Sequence, residues 1–85
     1  MKWFLYILES KVCKKYYVGI SQKPERRLMF HNTIEKGFTS RYRPWELVFV
    51  KECESKKEAL NLEKKIKNWK SKLMIEKVLK GENLI

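Results

Sequence analysis

Apolar and polar positions follow two rhythms along this chain. Residues 3–8, Trp-Phe-Leu-Tyr-Ile-Leu, form an unbroken apolar run closed by Glu9-Ser10-Lys11. A short segment that is apolar at every position suits a strand covered on both faces. Residues 16–20, Tyr-Tyr-Val-Gly-Ile, read as a second strand, with a hairpin connection between the two. Period-two geometry puts Phe4, Tyr6 and Leu8 on one face of the first strand, and Tyr17 and Gly19 together on one face of the second. Gly19 removes side-chain bulk where a neighbouring group or a packed helix approaches the backbone. Pro24 fits the first turn of a helix that the following residues continue until Gly37. Residues 38–44 read as a basic, turn-like loop carrying Thr39, Ser40, Arg41, Tyr42 and Arg43, and residues 46–51 as a third strand.

The second rhythm begins after Glu54. Ser55 followed by Glu58 is a capping box, in which side chains satisfy the free N–H groups of a starting helix. Ala59, Leu62, Ile66, Trp69 and Leu73 then recur at three- and four-residue steps, the signature of a helix with one apolar stripe. Lys70-Ser71-Lys72 breaks this helix and leaves residues 73–79 as another. The order ββαβαα predicts an α/β fold in one domain, residues 1–85. It is a small sandwich in which a three-stranded, mostly antiparallel sheet is flanked by helices.

With 85 residues, 44% hydrophobic and 13% aromatic, the chain has enough apolar mass for a core and is not a disordered basic tail. Its 20 Lys and Arg against 10 Asp and Glu give a net charge of +10. A small globular domain this basic expects a polyanion, most commonly nucleic acid; the plainer alternative is a soluble lysine-rich surface. Cys13 and Cys53 form no Cys-x-x-Cys, and the single histidine cannot complete a zinc site with them. They are expected as free thiols in a reducing compartment. The N-terminal apolar run is too short for a signal-peptide core or a membrane span, so a cytoplasmic protein with no membrane partner is expected.

Candidate chemistry gathers in the first third. Tyr6 lies in Leu5-Tyr6-Ile7 and Tyr17 in Tyr17-Val18-Gly19, while Arg27 and His31 are one turn apart on the same helical face. Phenols and imidazoles move protons, and a guanidinium grips phosphate. Taken singly, Tyr6 and Tyr17 read as core aromatics, Arg27 as a solvated helix residue and Glu63 as the partner of Lys67 one turn on. Taken together, and in this order, they resemble the GIY-YIG nuclease family in its small single-domain branch. The first triplet is degraded to Leu-Tyr-Ile, whereas the second stays close to the family form. Two longer segments are also similar, residues 24–32 from Pro24 to His31-Asn32, and residues 41–48, Arg-Tyr-Arg-Pro-Trp-Glu-Leu-Val.

The resemblance implies an endonuclease that hydrolyses phosphodiester bonds in nucleic acid, DNA above all, with one divalent ion, Mg²⁺ or Mn²⁺. It matches Tyr6 and Tyr17 to the family tyrosines. Which of them acts on the attacking water stays open, with position favouring Tyr17. A free phenol is ionised to only about one part in a thousand at neutral pH. Cationic neighbours or a metal-bound water must therefore shift the balance. Arg27 would bind the scissile phosphate, His31 would shuttle a proton or bind phosphate, and Glu63 would hold the metal. Arg27, Arg41, Arg43, Lys67 and Lys70 would contact the nucleic-acid backbone without reading bases. Larger relatives carry separate targeting domains, so this chain is expected to bind weakly and without sequence preference, or to use a targeting protein partner. Many family members carry an asparagine about a dozen residues beyond the glutamate, where this chain has Met74, Ile75 and Glu76. That departure keeps a non-catalytic nucleic-acid-binding module of the same fold as the alternative.

Overall fold

The computed structural model describes residues 2–85. Strand β1 (Trp3–Ser10) lies at the centre of a three-stranded sheet, between β2 (Tyr16–Ser21) and β3 (Trp45–Cys53). Both pairings are antiparallel. The central place explains the unbroken apolar run: Leu5, Ile7, Tyr6 and Leu8 are all at most 1% exposed, whichever face they occupy. Leu5 and Ile7 meet Val18 and Ile66 on one face, while Tyr6 and Leu8 meet Trp45 on the other.

Helices α2 (Lys56–Trp69) and α3 (Lys72–Leu79) cover the Leu5–Ile7 face through Leu62, Ile66, Trp69, Ile75 and Leu79. Helix α1 (Pro24–Thr33) and a 3₁₀ turn (Phe38–Tyr42) cover the opposite face through Leu28 and Tyr42. The β1–β3 register shifts between Ile7 and Leu8. This bulge lets Val48 and Phe49, adjacent in sequence, both pack on the Leu5–Ile7 cluster, which strict alternation forbids.

Several boundaries differ from the sequence expectation. Strand β3 runs from Trp45 to Cys53, beyond residues 46–51 at both ends. Helix α1 stops at Thr33 rather than continuing to Gly37. Ile34 and Glu35 both donate their N–H to Phe30 O, at 2.8 and 3.0 Å, and Arg43 Nε donates to the carbonyl of His31 at 2.7 Å. Arg43 Nη2 donates to Glu35 O as well. The last-turn carbonyl that a longer helix would have used is thus taken by a side chain. The supposed loop of residues 38–44 contains the 3₁₀ turn, whose Thr39 is 1% exposed.

Helix α2 starts as the capping box predicts, with Ser55 Oγ accepting from Glu58 N at 3.1 Å. It ends at Lys70, which takes a left-handed conformation with φ 49°. Ser71 then caps α3, accepting from Met74 N at 3.3 Å. That turn throws the apolar stripe out of phase, and Leu73, read as its fifth member, is 59% exposed. Both cysteines are free, Cys13 exposed and Cys53 buried. No helix of the described residues is long and apolar enough to cross a membrane.

Candidate active site

Tyr6 points from β1 toward α1, and its ring lies over Gly19 of β2, its register partner. A Cβ at position 19 would stand 2.7 Å from the Tyr6 hydroxyl oxygen, so the strand needs glycine there to admit the ring. Beyond Gly19 the phenol oxygen reaches His31 Nε2 at 3.1 Å. The other ring nitrogen, Nδ1, lies 3.1 Å from Thr39 Oγ1. His31 is 1% exposed, and no buried side-chain polar atom among the described residues lacks a partner. Burial lowers the His31 pKa from its ordinary value, and the positive charges of Arg27 and Arg43 push it the same way against the opposing pull of Glu35. The imidazole is held neutral, so one nitrogen donates and the other accepts.

Tyr6 moves the other way. Burial raises its pKa first; the neighbouring Arg27 guanidinium pulls it back, while Tyr17 and the Glu63 carboxylate raise it further. The phenol therefore keeps its proton at neutral pH. Arg27 itself is stacked on Phe30, its Cζ 4.4 Å from the ring centroid, which fixes the direction of the guanidinium. Tyr17 packs against His31 with ring centroids 4.6 Å apart, and is 6.3 Å from Tyr6 by the same measure. Unlike Tyr6 it is only half-buried.

Glu63 comes from the opposite face, on α2. β2 is an edge strand of the sheet, and the negative charge of Glu63 is the weakest of the influences that raise the Tyr6 pKa. Its side chain is 18% exposed, and its carboxylate pairs with Lys67 at 3.2 Å. Among the described residues no group of three or more His, Cys, Asp or Glu could cage a metal ion. One hard carboxylate beside water and incoming phosphate oxygens still suits Mg²⁺, which keeps much of its hydration shell, and does not suit a structural zinc site.

A model described as the GIY-YIG catalytic domain matches residues 2–78 of the chain. The chain belongs to the GIY-YIG family. A structure-specific endonuclease subunit, SLX1 of Phaeosphaeria nodorum, is 42% identical over 50 residues. That match takes in 53% of this chain but only 14% of the fungal protein, so the chain spans a small part of its relative's length. The solution structure of the UPF0213 protein BH0048 from Bacillus halodurans superposes with a TM-score of 0.60 at 28% identity. The superposition covers 99% of this chain and 88% of that one. The small α/β sandwich read from the sequence is thus the architecture of a GIY-YIG nuclease domain.

Of the site residues read from the sequence of this GIY-YIG domain, Tyr6, Tyr17 and His31 are in mutual contact, with Arg27 and Glu63 close enough for their charges to act on Tyr6. Arg41, Lys67 and Lys70 are exposed. Arg43 lies elsewhere than expected. Half-buried, it donates from Nε and Nη2 to the carbonyls of His31 and Glu35, binding the end of α1 to the chain entering β3.

Thr39 and Asn32 carry more than the sequence suggested. Thr39 holds His31 through its side chain and accepts from Trp45 Nε1 through its carbonyl at 2.7 Å. Asn32 grips the Trp45 backbone at both ends, donating to its carbonyl at 3.1 Å and accepting from its N–H at 2.7 Å. No periodic pattern marks such residues, because their partners are distant in sequence. The adjacency of Asn32 to His31 is the one local hint.

Proposed function

We propose that this domain is a metal-dependent endonuclease that hydrolyses DNA phosphodiesters through a relay of Tyr6 and His31. The observation that carries the reading is the 3.1 Å contact between the Tyr6 phenol and His31 Nε2, with Arg27 beside it. A phenol whose pKa is raised cannot wait as phenolate. It can accept a proton from water only while passing its own to a neighbour. Nε2 of a neutral imidazole is that neighbour, provided that Nδ1 carries the N–H and donates it to Thr39 Oγ1. The acceptor beside its hydroxyl favours Tyr6 over Tyr17 as the residue that acts on the attacking water, and leaves the more accessible Tyr17 to orient it.

Arg27, braced on Phe30, would neutralise charge on the phosphate as the new P–O bond forms. Glu63 would hold a Mg²⁺ or Mn²⁺ ion; when bound, such an ion stabilises negative charge on the phosphate and leaving oxygens. Lys67, now paired with Glu63, would be freed to move toward DNA. Arg41, Lys70 and the exposed lysines of α2 would hold the backbone without reading sequence.

Plasmid nicking with Mg²⁺ or Mn²⁺ tests the reading. Wild-type protein should relax supercoiled DNA, and Tyr6→Phe, Arg27→Ala and Glu63→Ala should each lose at least about a hundredfold in rate. Nicking that survives all three changes overturns the assignment. A wild type that binds DNA but never nicks it, in either metal, leaves a non-catalytic binding module, a reading favoured by Met74, Ile75 and Glu76 standing where many relatives carry asparagine.

A further inference from the structure

A cavity of about 420 Å³ opens along the free side of β2, and Tyr17 belongs both to its wall and to the cluster around His31. Its size falls within the range of about 300–1,000 Å³ typical of small-ligand sites. Tyr16, Tyr17 and Val18 supply one wall, Ile66 and Ile75 another, and Phe38 a third. Phe38 is held by Tyr42 and Trp45, at centroid distances of 5.1 and 6.1 Å, yet stays 49% exposed.

Lys15, Lys67, Lys70 and Lys72 also line the cavity, and no acidic side chain does so among the described residues. Of the four, only Lys67 is ion-paired among the described residues.

The combination selects among ligands. A bare phosphate has no use for aromatic walls, and an apolar molecule has no use for ammonium groups. A nucleotide uses both, since its base offers a π-face and its phosphates offer charge. In a duplex the base faces are already covered by their neighbours, so only an unpaired base can lie against a protein ring.

We propose that this cavity holds one unpaired nucleotide beside the scissile phosphate, its base against Phe38 and Tyr16 and its flanking phosphates among Lys15, Lys70 and Lys72. The proposal rests on the nuclease reading and narrows the substrate to DNA that presents a single-stranded nucleotide at the cut. Duplex DNA paired throughout lacks the base that fills the cavity.

Binding measured without divalent ion separates this proposal from catalysis. Two branched oligonucleotides are compared by fluorescence anisotropy, identical except that one carries 2-aminopurine and the other an abasic residue at the unpaired position. Their phosphate charge is the same, so a difference in affinity reports the base alone. The abasic DNA should bind on the order of tenfold more weakly. Phe38→Ala should weaken the base-bearing DNA to the abasic level, leave the abasic DNA unchanged, and abolish the quenching of 2-aminopurine expected with wild type. Lys72→Gln should weaken both DNAs equally.

Equal affinity of wild type for the two DNAs overturns the proposal, as does a base-dependent difference that survives Phe38→Ala. If Phe38→Ala does not fold, the wild-type comparison decides alone. Base-dependent binding by a protein that never nicks overturns only the nuclease reading. Nicking that ignores the base overturns only the cavity.

Discussion

Replacing Gly19 by alanine should destabilise the domain, although alanine is ordinarily the better strand residue. An added Cβ would stand 2.7 Å from Tyr6 Oη, 2.8 Å from Tyr6 Cζ and 3.1 Å from Tyr17 Cε2. Carbon atoms pack best at about 3.5–4.0 Å, so the first two contacts are deep overlaps. The Tyr6 ring has no room to retreat: it is 1% exposed, and its hydroxyl is held by His31 at 3.1 Å. Overpacking of this kind costs about 1–3 kcal/mol. Relief of glycine's conformational entropy in the unfolded chain offsets about 0.5–1 kcal/mol of that. The two overlaps at 2.7 and 2.8 Å put the cost at the upper end of that range, so the net loss is about 2 kcal/mol, or about 8–16 °C in Tm for a domain of this size. Thermal melts followed by circular dichroism, with urea titrations alongside, measure it. In a Tyr6→Leu background only the milder Tyr17 contact remains, and the same change should cost clearly less. A Gly19→Ala protein at least as stable as wild type, with Tyr6 intact, would refute the argument that the ring is pinned over the strand.

The His31 pKa lies below its ordinary value of 6.5 in the folded protein, chiefly through burial, so the unfolded chain takes up the proton first as pH falls. Stability is then fully present above about pH 6.5 and declines as pH drops toward the lowered folded value. Urea midpoints should fall more between about pH 7.5 and 5.5 in wild type than in His31→Gln, and equal falls would contradict the linkage. Asn32→Ala removes both hydrogen bonds to the Trp45 backbone and should cost about 1–3 kcal/mol by urea titration, with Asn32→Asp keeping only the accepting half. Arg41→Gln should flatten the dependence of log K for DNA on log salt by about 0.9. Arg43→Gln should leave that slope unchanged and lower Tm, since its guanidinium binds carbonyls inside the fold.

Local pattern carried the elements of this fold well. The run from Trp3 to Leu8 is apolar at every position because β1 is covered on both faces, and the Ala59–Trp69 spacing is helical because one stripe of α2 meets the sheet. Boundaries were less legible wherever a distant side chain decided them. Arg43 ends α1 from across the 3₁₀ turn, and the bulge beside Val48 lets two neighbouring residues share a face. Candidate chemistry could be listed from residue types and order, but their convergence could not. Nothing near Thr39 in sequence indicates that it would be buried against an imidazole, and nothing near Arg43 indicates that its charge turns inward.

By itself the sequence determined the strand and helix order, the net charge of +10 and the residue types available for proton transfer and phosphate binding. Those properties follow from period, capping and composition, which act over a few residues. Only the tertiary structure decided that Tyr6 would reach over Gly19 to His31, that Thr39 would occupy the second ring nitrogen, and that Phe38 would remain open beside lysines. Each of these depends on which strand forms the sheet edge and how two helical layers close around it. Hydrogen-bond reach is about 3 Å, so pairs separated by many residues meet only where packing of the whole chain brings them together.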